Sequence, residues 1–243
     1  MALDKKSSRY GSQAIPLPFA APYRYAEMMI SGFHLQSPEK LKFLDLCCGT
    51  GIHSIYPAKR EFNVYGIDIS AKSIEAAKQL ASKNHVSDRC TFIVEDATQI
   101  DFPDSFFDIV FISGSLYYLH LNNTLIMIDR LLKKGGMFCC IETYKDNRWM
   151  RAIRFWKNII RKNRDEQTMN NLMGRKEIER IEKSFSVAQT TYFDFFTLFG
   201  ILFSWNGKLF RGYNRFACKM DNILLNKLKM SRFSFKFVIS AIK

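Results

Sequence analysis

The 243-residue sequence has little proline, with six residues, and no apolar run as long as a membrane span. Its longest nearly apolar stretch is YFDFFTLFGILFSW, residues 192–205, which contains Asp194. A helix that crosses a bilayer needs roughly 20 apolar residues, so this stretch is not expected to span one. The N-terminal MALDKKSSRYGSQ has lysines without an apolar run behind them, which predicts that there is no secretory signal peptide.

Cysteine occurs six times, but no two cysteines have the CxxC spacing of a zinc site. Four of them form two vicinal pairs inside apparent strands, where adjacent side chains point to opposite faces. We therefore predict no metal site and interpret the cysteines as buried free thiols in a reducing cytoplasm. The six residues are Cys47, Cys48, Cys90, Cys139, Cys140 and Cys218.

Acidic residues become scarce toward the end of the chain. Residues 1–144 contain 15 Lys plus Arg and 15 Asp plus Glu, whereas residues 145–243 contain 21 and 8. The entire formal charge of +13 therefore lies in the second part. A balanced part joined to a basic part predicts a core with an addition that faces a partner.

Strand and helix patterns alternate from residue 41 onward. Two later segments, 186–196 and 232–242, also alternate and predict the last two strands, the final one antiparallel. A helical pattern at 71–83 is preceded by Ser70, a favourable N-cap. This order predicts an α/β fold with a doubly wound, mostly parallel, seven-stranded sheet. The first five strand patterns cover 41–46, 62–68, 90–96, 107–113 and 136–142.

The stretch FLDLCCGTGIHSI, residues 43–55, combines a buried strand, a glycine turn and the start of a helix. This order is typical of the first βα unit of a nucleotide-binding sheet. Gly49 and Gly51 allow the chain to turn and to pass close to a ligand without a Cβ clash. Cys47 stands where the dinucleotide pattern has a glycine, and its backbone amide can still approach a ligand if its φ is negative.

Carboxylates accompany the first three predicted strands. Asp45 precedes the glycine turn, Asp68 ends the second strand and Asp96 ends the third. With KKGG at 133–136, this set resembles the class I S-adenosylmethionine-dependent methyltransferases over residues 41–142. The first motif of that family reads approximately Asp-x-Gly-x-Gly-x-Gly. The corresponding sequence here is DLCCGTG, in which a cysteine replaces the first glycine.

The resemblance implies S-adenosyl-L-methionine as the cofactor and a role for each residue of the motif. Asp45 would orient the glycine loop and the ammonium group of the cofactor. Asp68 would accept hydrogen bonds from both ribose hydroxyls, and it would repel a phosphate there, which disfavours NADP. Ile69 would pack on the adenine, Asp96 would accept its amino group, and Ala97 would supply a backbone contact. The implied cofactor-binding residues are Asp45, Cys47, Gly49, Gly51, Asp68, Ile69, Asp96, Ala97 and Ser113.

The implied reaction is in-line attack of a nucleophile on the sulfonium methyl, where positioning and desolvation supply most of the rate. The segment SGSLYYLH follows the fourth strand and places Tyr117, Tyr118 and His120 near the methyl. His120 is the candidate general base because histidine titrates near neutrality without perturbation. Tyr117 is the second candidate catalytic residue. The alternative for His120 is a position at a helix N-terminus without a catalytic role.

Two insertions follow the ends of strands, at the edge where ligands bind in open α/β sheets. We predict an N-terminal lid region at 1–40 and a methyltransferase domain at 41–243, in which insertions 145–172 and 197–230 form a substrate cap. For the aromatic residues of the lid region, contact with the cofactor and ordinary packing both remain open. The candidate lid contacts are Tyr10, Tyr23 and Tyr25.

The segment RWMRAIRFWKNIIRKNR, residues 148–164, predicts a basic amphipathic helix. Trp149 and Trp156 share an apolar stripe, and arginine and lysine occupy the other side. Such a helix suits peripheral contact with an anionic membrane. The alternative is a lid whose apolar face covers the acceptor pocket. Both alternatives place an enclosed apolar acceptor site near this segment.

Three classes of function follow from these features. The leading class is a methyltransferase of a small-molecule, lipid or lipid-linked acceptor, located in the cytoplasm or at the membrane periphery. The second acts on a peptide or RNA, although the chain lacks the Asn/Asp-Pro-Pro-Tyr pattern of methyltransferases of nucleic-acid amino groups, which disfavours nucleic acid. The third binds S-adenosylmethionine without catalysis. The sequence leaves the oligomeric state open.

Overall fold

The computed structural model describes residues 20–34, 40–147, 172–203 and 207–243. A seven-stranded sheet forms its centre, with strand order β3-β2-β1-β4-β5-β7-β6. Strand β7 is antiparallel to both of its neighbours, and the pairs among β1 to β5 are parallel. This arrangement confirms the predicted α/β fold. The strands are β1 (Lys42–Leu46), β2 (Asn63–Asp68), β3 (Cys90–Val94), β4 (Phe107–Ser113), β5 (Leu132–Thr143), β6 (Val187–Phe193) and β7 (Lys236–Ile242).

Helices cover both faces of the sheet. Three of them, α1, α2 and α3, pack on one face, while α4 and α5 pack on the other. The remaining helix, α6, continues into a π-helical segment at Asn222–Lys227. The bounds are α1 (Ala21–His34), α2 (Ile55–Lys59), α3 (Ala71–Lys83), α4 (Leu121–Leu131), α5 (Arg175–Lys183) and α6 (Gly207–Asp221). Shorter 3-10 helices occur at Ser87–Arg89, Leu116–Tyr118, Phe196–Phe203 and Ser231–Phe233.

The vicinal cysteines of β5 show that this strand packs against an apolar core on each face of the sheet. Cys139 lies in the apolar cluster under α1, α2 and α3, and Cys140 lies in the cluster under α4 and α5. Both are fully buried, and all six cysteines of the chain are free thiols. Because successive side chains of a strand alternate between faces, a strand covered on both faces is apolar at every position.

Asp108 holds three strands together at the amino edge of the sheet. Its Oδ2 accepts a 2.8 Å hydrogen bond from the amide of Lys42, at the start of β1. Its Oδ1 accepts a 2.8 Å bond from Nζ of Lys133, at the start of β5. This contact lies at the end of the sheet opposite to the glycine loop, so it stabilises the scaffold and leaves the carboxyl edge for the site.

Two strand boundaries differ from the sequence prediction. Strand β5 begins at Leu132 and not at residue 136, because Leu132 already pairs with Phe107 of β4. Strand β3 ends at Val94, so Asp96 lies in the turn that follows the strand.

The two predicted insertions differ in how much of them is described. The insertion after β6 begins with the 3-10 helix Phe196–Phe203 and contains α6. Residues 148–171, and with them the predicted amphipathic helix at 148–164, lie outside the described residues. Within the described part of the chain, no helix has both the length and the apolarity needed to cross a membrane.

Candidate functional site

Carboxylates from two strands hold the loop that follows β1. Asp45 is buried, and its Oδ2 accepts a 2.6 Å hydrogen bond from Ser54 Oγ at the start of α2. Asp68 accepts a 2.8 Å bond from the amide of Gly49 and a 2.9 Å bond from the amide of Ser70. From the sequence we expected Asp45 to orient the glycine loop, whereas in the structure both Asp45 and Asp68 hold this loop by hydrogen bonds.

Three residues of the loop have left-handed backbone conformations. The φ angles are +57° at Cys47, +52° at Gly49 and +72° at Gly51. Cys47 therefore does not meet the condition of a negative φ, and a side chain in the left-handed region costs about 1–2 kcal/mol. A Cβ on Gly51 would lie 2.8 Å from the Cβ of Ala77 in α3, whereas a Cβ on Gly49 would meet nothing within 4 Å. Gly51 thus serves helix packing, and Gly49 serves the backbone conformation of the loop.

The other predicted cofactor residues follow β2, β3 and β4. Ile69 is 73% exposed directly after Asp68. Asp96 Oδ1 accepts 2.8 Å hydrogen bonds from the amide and the hydroxyl of Thr98, and these two bonds lower the pKa of Asp96. Ala97 is buried in the apolar core, and Ser113 is the last residue of β4. The structure therefore places the nine predicted residues at the carboxyl ends of β1 to β4.

Two tyrosines and a histidine border a cleft of about 470 Å³ after β4. The ring centroids of Tyr117 and Tyr118 are 4.2 Å apart. His120 is exposed and occupies the N-cap position of α4 without a side-chain capping bond. Partial burial and a hydrogen bond to Tyr118 raise the pKa of Tyr117, so its phenol remains protonated at neutral pH. Met173 and Glu177 form part of the opposite wall.

Glu142, which the sequence prediction gave no role, is the buried carboxyl group at the end of β5. Its Oε1 accepts hydrogen bonds from the amides of Ser115 at 2.9 Å and Leu116 at 2.7 Å. Among the described residues, its Oε2 has no hydrogen-bond partner. Burial raises the pKa of Glu142 to about 7, although these two bonds and the charge of Lys236 oppose the shift. The sequence signal was one acid at the end of an otherwise apolar strand.

Helix α1 connects the glycine loop with β6 and β7. The Tyr23 ring stacks on His53 at a centroid distance of 5.2 Å, and Nζ of Lys236 donates a 3.1 Å hydrogen bond to the Tyr23 hydroxyl. The hydroxyl of Tyr25 is 3.1 Å from Thr191 Oγ1. Burial lowers the pKa of His53 to about 3, so this histidine is neutral and acts in packing. Tyr10, the third candidate lid contact, lies outside the described residues.

A pair of aspartates joins the end of β6 to α6. Thr197 Oγ1 lies 3.0 Å from Asp194 Oδ1 and 2.9 Å from Asp221 Oδ2. A hydroxyl has one hydrogen to donate, so the second contact requires a proton on one of the carboxyl groups. Burial raises the pKa of Asp194 to about 7, which supplies that proton below neutrality.

The charged groups of the site are spread along the carboxyl edge. Asp45 and Asp68 belong to β1 and β2, Glu142 ends β5, and Lys236 begins β7. In the ranges that the structure describes, no group of three or more His, Cys, Asp or Glu side chains is arranged to hold a metal ion. The edge therefore combines a polar half suited to a cationic, hydroxyl-bearing ligand with a half lined by tyrosines and one buried acid.

Comparison with known proteins identifies the central part of the chain. Residues 44–140 match a family model described as a methyltransferase domain. The chain is 29% identical over 160 residues to an uncharacterized methyltransferase, sll0829, of Synechocystis, which covers 61% of this chain and 71% of that protein. It is 38% identical over 118 residues to a demethylmenaquinone methyltransferase of Leptospira interrogans, with 46% and 47% covered. The chain thus spans about half the length of the latter relative.

A solved structure shares the fold across most of the chain. Geranyl diphosphate C-methyltransferase from Streptomyces coelicolor, in complex with Mg²⁺, geranyl diphosphate and S-adenosyl-L-homocysteine, superposes with a TM-score of 0.61. The superposition covers 91% of this chain and 77% of that chain at 18% sequence identity. At this identity the likeness concerns the fold.

Alanine at Gly49 and at Gly51 should have different effects on stability. We expect Gly51→Ala to cost about 2–5 kcal/mol, because left-handed strain adds to overpacking against Ala77. Gly49→Ala should cost about 1–2 kcal/mol, because only the strain remains. Urea unfolding of both variants measures the difference. Equal losses would contradict the separate roles assigned to the two glycines.

The raised pKa of Glu142 makes stability depend on pH in a defined direction. The folded protein keeps this proton to about pH 7, whereas the group loses it near its ordinary value of 4.5 in the unfolded chain. The folded state therefore loses stability as pH rises through this window, by about 3 kcal/mol from this group. Glu142→Gln should flatten the decline of the unfolding free energy between these pH values by that amount.

Urea unfolding at pH 5 and pH 8 measures this decline. The matched control is Glu75→Gln on the exposed side of α3, which should keep the pH dependence of the wild type. A Glu142→Gln protein with the wild-type decline would show that Glu142 is ionised in the folded state across this range.

Proposed function

Because the chain belongs to the class I S-adenosylmethionine-dependent methyltransferases, we propose that it transfers the methyl group of S-adenosyl-L-methionine to a small-molecule, lipid or lipid-linked acceptor. One observation carries the proposal above all others. The amide of Gly49 is held by Asp68, which places the glycine loop of β1 beside the end of β2. A loop in this position presents backbone amides to one ligand while a carboxylate receives its hydroxyls.

The residues of the polar half fit this cofactor. Each oxygen of Asp68 accepts one amide bond and keeps a lone pair, so both can accept from ribose hydroxyls as well. A Cβ would meet nothing within 4 Å of Gly49, so a ligand can approach the backbone there. The exposed side chain of Ile69 offers an apolar face to the adenine, and Asp96 keeps its Oδ2 for the amino group. The cofactor supplies an electrophilic methyl group on a positive sulfur.

The acceptor would lie in the half lined by Tyr117, Tyr118 and His120. The hydroxyls of Tyr117 and Tyr118, which are hydrogen-bonded to each other, form a polar edge of the cleft that can bind an acceptor oxygen. His120 borders the same cleft and is the proposed general base for an acceptor that must lose a proton. Glu142 is buried and does not line this cleft, but its hydrogen bonds to the amides of Ser115 and Leu116 hold the segment that carries Tyr117, Tyr118 and His120.

Two observations favour a lipid-like acceptor. The names of the relatives include demethylmenaquinone and geranyl diphosphate. The 3-10 helix Phe196–Phe203 also brings FTLFGILF to the carboxyl edge beside α6. We further propose a cytoplasmic protein that contacts anionic membrane through 148–164, a segment outside the described residues. The alternative, in which this segment is only a lid, keeps the same acceptor class.

The charge of the chain favours one second candidate. A formal charge of +13 suits an anionic macromolecule, either an acidic peptide or RNA. Steep salt dependence of binding to RNA would support that candidate, and methylation of extracted lipid would support the first. Binding of S-adenosylmethionine without turnover on a broad panel of acceptors would instead support a non-catalytic role.

Replacing Asp68 should separate cofactor binding from folding. Asp68→Ala removes the acceptor for the ribose and for the Gly49 amide, so we expect S-adenosyl-L-homocysteine to bind roughly 30- to 1000-fold more weakly, which corresponds to about 2–4 kcal/mol. The matched control is Asp88→Ala, which removes an exposed carboxylate before β3 at the opposite edge of the sheet. Titration calorimetry measures both affinities, and thermal unfolding verifies that the variants are folded.

Unchanged affinity in folded Asp68→Ala protein would contradict the proposed ribose site. Wild-type protein that shows no binding heat with S-adenosylmethionine or S-adenosyl-L-homocysteine would contradict the proposed function itself. Titration with NAD supplies the comparison ligand, for which we expect no binding heat.

A further inference from the structure

Helix α6 exposes large apolar side chains on the side that faces away from the protein. Leu209, Phe216 and Ile223 are 52%, 58% and 42% exposed. Seven residues are about two helical turns, so Leu209 and Phe216 lie on one side of α6, and Ile223 continues this stripe into the π-helical segment. Isolated exposed apolar residues are common in soluble proteins, but exposed apolar side chains aligned along a helix and its extension form a surface of the kind that docks on a partner.

Basic side chains lie beside this stripe. Arg211, Arg215 and Lys219 are exposed and follow each other at intervals of four residues, which makes a second row on the helix. The π-helical segment and its end continue the pattern with exposed Lys227, Leu228, Lys229 and Arg232. We name the stripe and the row together the outer face of α6.

The outer face of α6 has no acidic partner in its own sequence. Between residues 207 and 243 the chain contains one acidic residue, Asp221, and that residue is buried. Asp221 accepts hydrogen bonds from the amides of Phe195, Phe196 and Thr197, so its charge is directed into the protein. The exposed field of this helix is therefore entirely positive.

The opposite side of α6 is already packed. Phe210, Ala217 and Leu225 are buried, and Cys218 helps to line a cavity of about 280 Å³ together with Tyr25 and Phe193. The helix is thus anchored by one apolar side, and the exposed stripe is not needed to hold it in place. An apolar stripe with an adjacent basic row is the pattern of a helix that lies in a membrane interface.

We propose that the outer face of α6 docks on an anionic lipid bilayer, with Leu209, Phe216 and Ile223 in the headgroup boundary and the basic row on lipid phosphates. Long basic side chains can reach the phosphates while their methylene stems cover apolar surface. A second copy of this chain is a poor partner, because it would place like charges against each other. Nucleic acid is a poor partner for a stripe that contains leucine and isoleucine, which neither stack on bases nor bind phosphate.

This inference adds a membrane surface to the proposed function. It rests on the proposed function only where it connects that surface with a lipid-like acceptor. Helix α6 packs beside the carboxyl end of β6, so contact of its outer face with a bilayer would bring the carboxyl edge of the sheet to the membrane surface, where such an acceptor is found. Vesicle binding in the absence of cofactor tests the surface, and cofactor calorimetry tests the proposed function. Failure of one is therefore distinguishable from failure of the other.

The experiment is co-sedimentation of the full chain with vesicles of phosphatidylglycerol and phosphatidylcholine at low salt. Removal of the basic row by Arg211→Gln, Arg215→Gln and Lys219→Gln should weaken binding about 100-fold, since each cationic side chain near an anionic surface contributes roughly 5-fold. The matched control removes the same charge from exposed positions of α3, by Lys72→Gln, Lys78→Gln and Lys83→Gln, and should change binding less than 3-fold.

The apolar stripe has its own pair of variants. Phe216→Ser should weaken vesicle binding about 10-fold or more, because a buried aromatic side chain contributes roughly that much. The control, Ile126→Ser, removes an apolar side chain that is more exposed, 71% against 58% for Phe216, but lies on α4, and it should have no effect. Thermal unfolding of every variant verifies that the fold is kept, and added salt should release the wild-type protein.

Four outcomes would overturn the proposal. The first is that wild-type protein does not bind the anionic vesicles at low salt, and the second is that the α3 triple variant loses binding as strongly as the α6 triple variant. The third is that Phe216→Ser protein binds vesicles as the wild type does. The fourth is a dimer, detected by light scattering, that depends on Phe216. The first would leave the helix as an ordinary surface. The second and third would reduce membrane contact to unspecific charge attraction, and the fourth would assign the stripe to a second copy.

Discussion

The hydrogen bond from the amide of Gly49 to the carboxylate of Asp68 joins two strands at the position where the ligand site is built. It ties the loop after β1 to the end of β2, so the loop cannot move independently of the sheet. The other end of the loop is held by Ser54, which donates to Asp45. Since β1 lies between β2 and β4, a loop held at these two points stands at the centre of the carboxyl edge.

Three acids of this edge are buried, and the burial of each carboxyl group disfavours its charged form. Burial raises the pKa of Asp45, Glu142 and Asp194 to about 7, so each of them resists ionisation that an exposed carboxyl group would undergo freely. Folding alone does not require three buried acids at one edge of a sheet. Buried titratable groups with shifted pKa values are concentrated at sites that bind charged ligands or move protons. The half of the edge that contains Glu142 and Tyr117 is therefore the part for which we propose a role in the reaction.

The charge of the protein is also distributed unevenly along the chain. The sheet and its first helices balance their charges, and the excess of lysine and arginine lies after residue 144. Those residues include α6, which packs on the carboxyl end of β6 through the 3-10 helix Phe196–Phe203. The same edge that collects buried acids inside the protein thus carries a positive surface outside it.

The sequence by itself determined the α/β fold, the seven strands and the motif residues, because burial on both faces makes each parallel strand a local apolar run and because glycine turns are marked locally. The motif also located Asp45, Gly49 and Asp68 at one edge, since the carboxyl ends of parallel strands meet there. Tertiary structure alone decided that Cys47 takes a left-handed conformation, that Asp68 holds the Gly49 amide, and that Glu142 lies buried beside Ser115. These features depend on contacts between residues far apart in the chain, and such contacts leave no periodicity in the sequence.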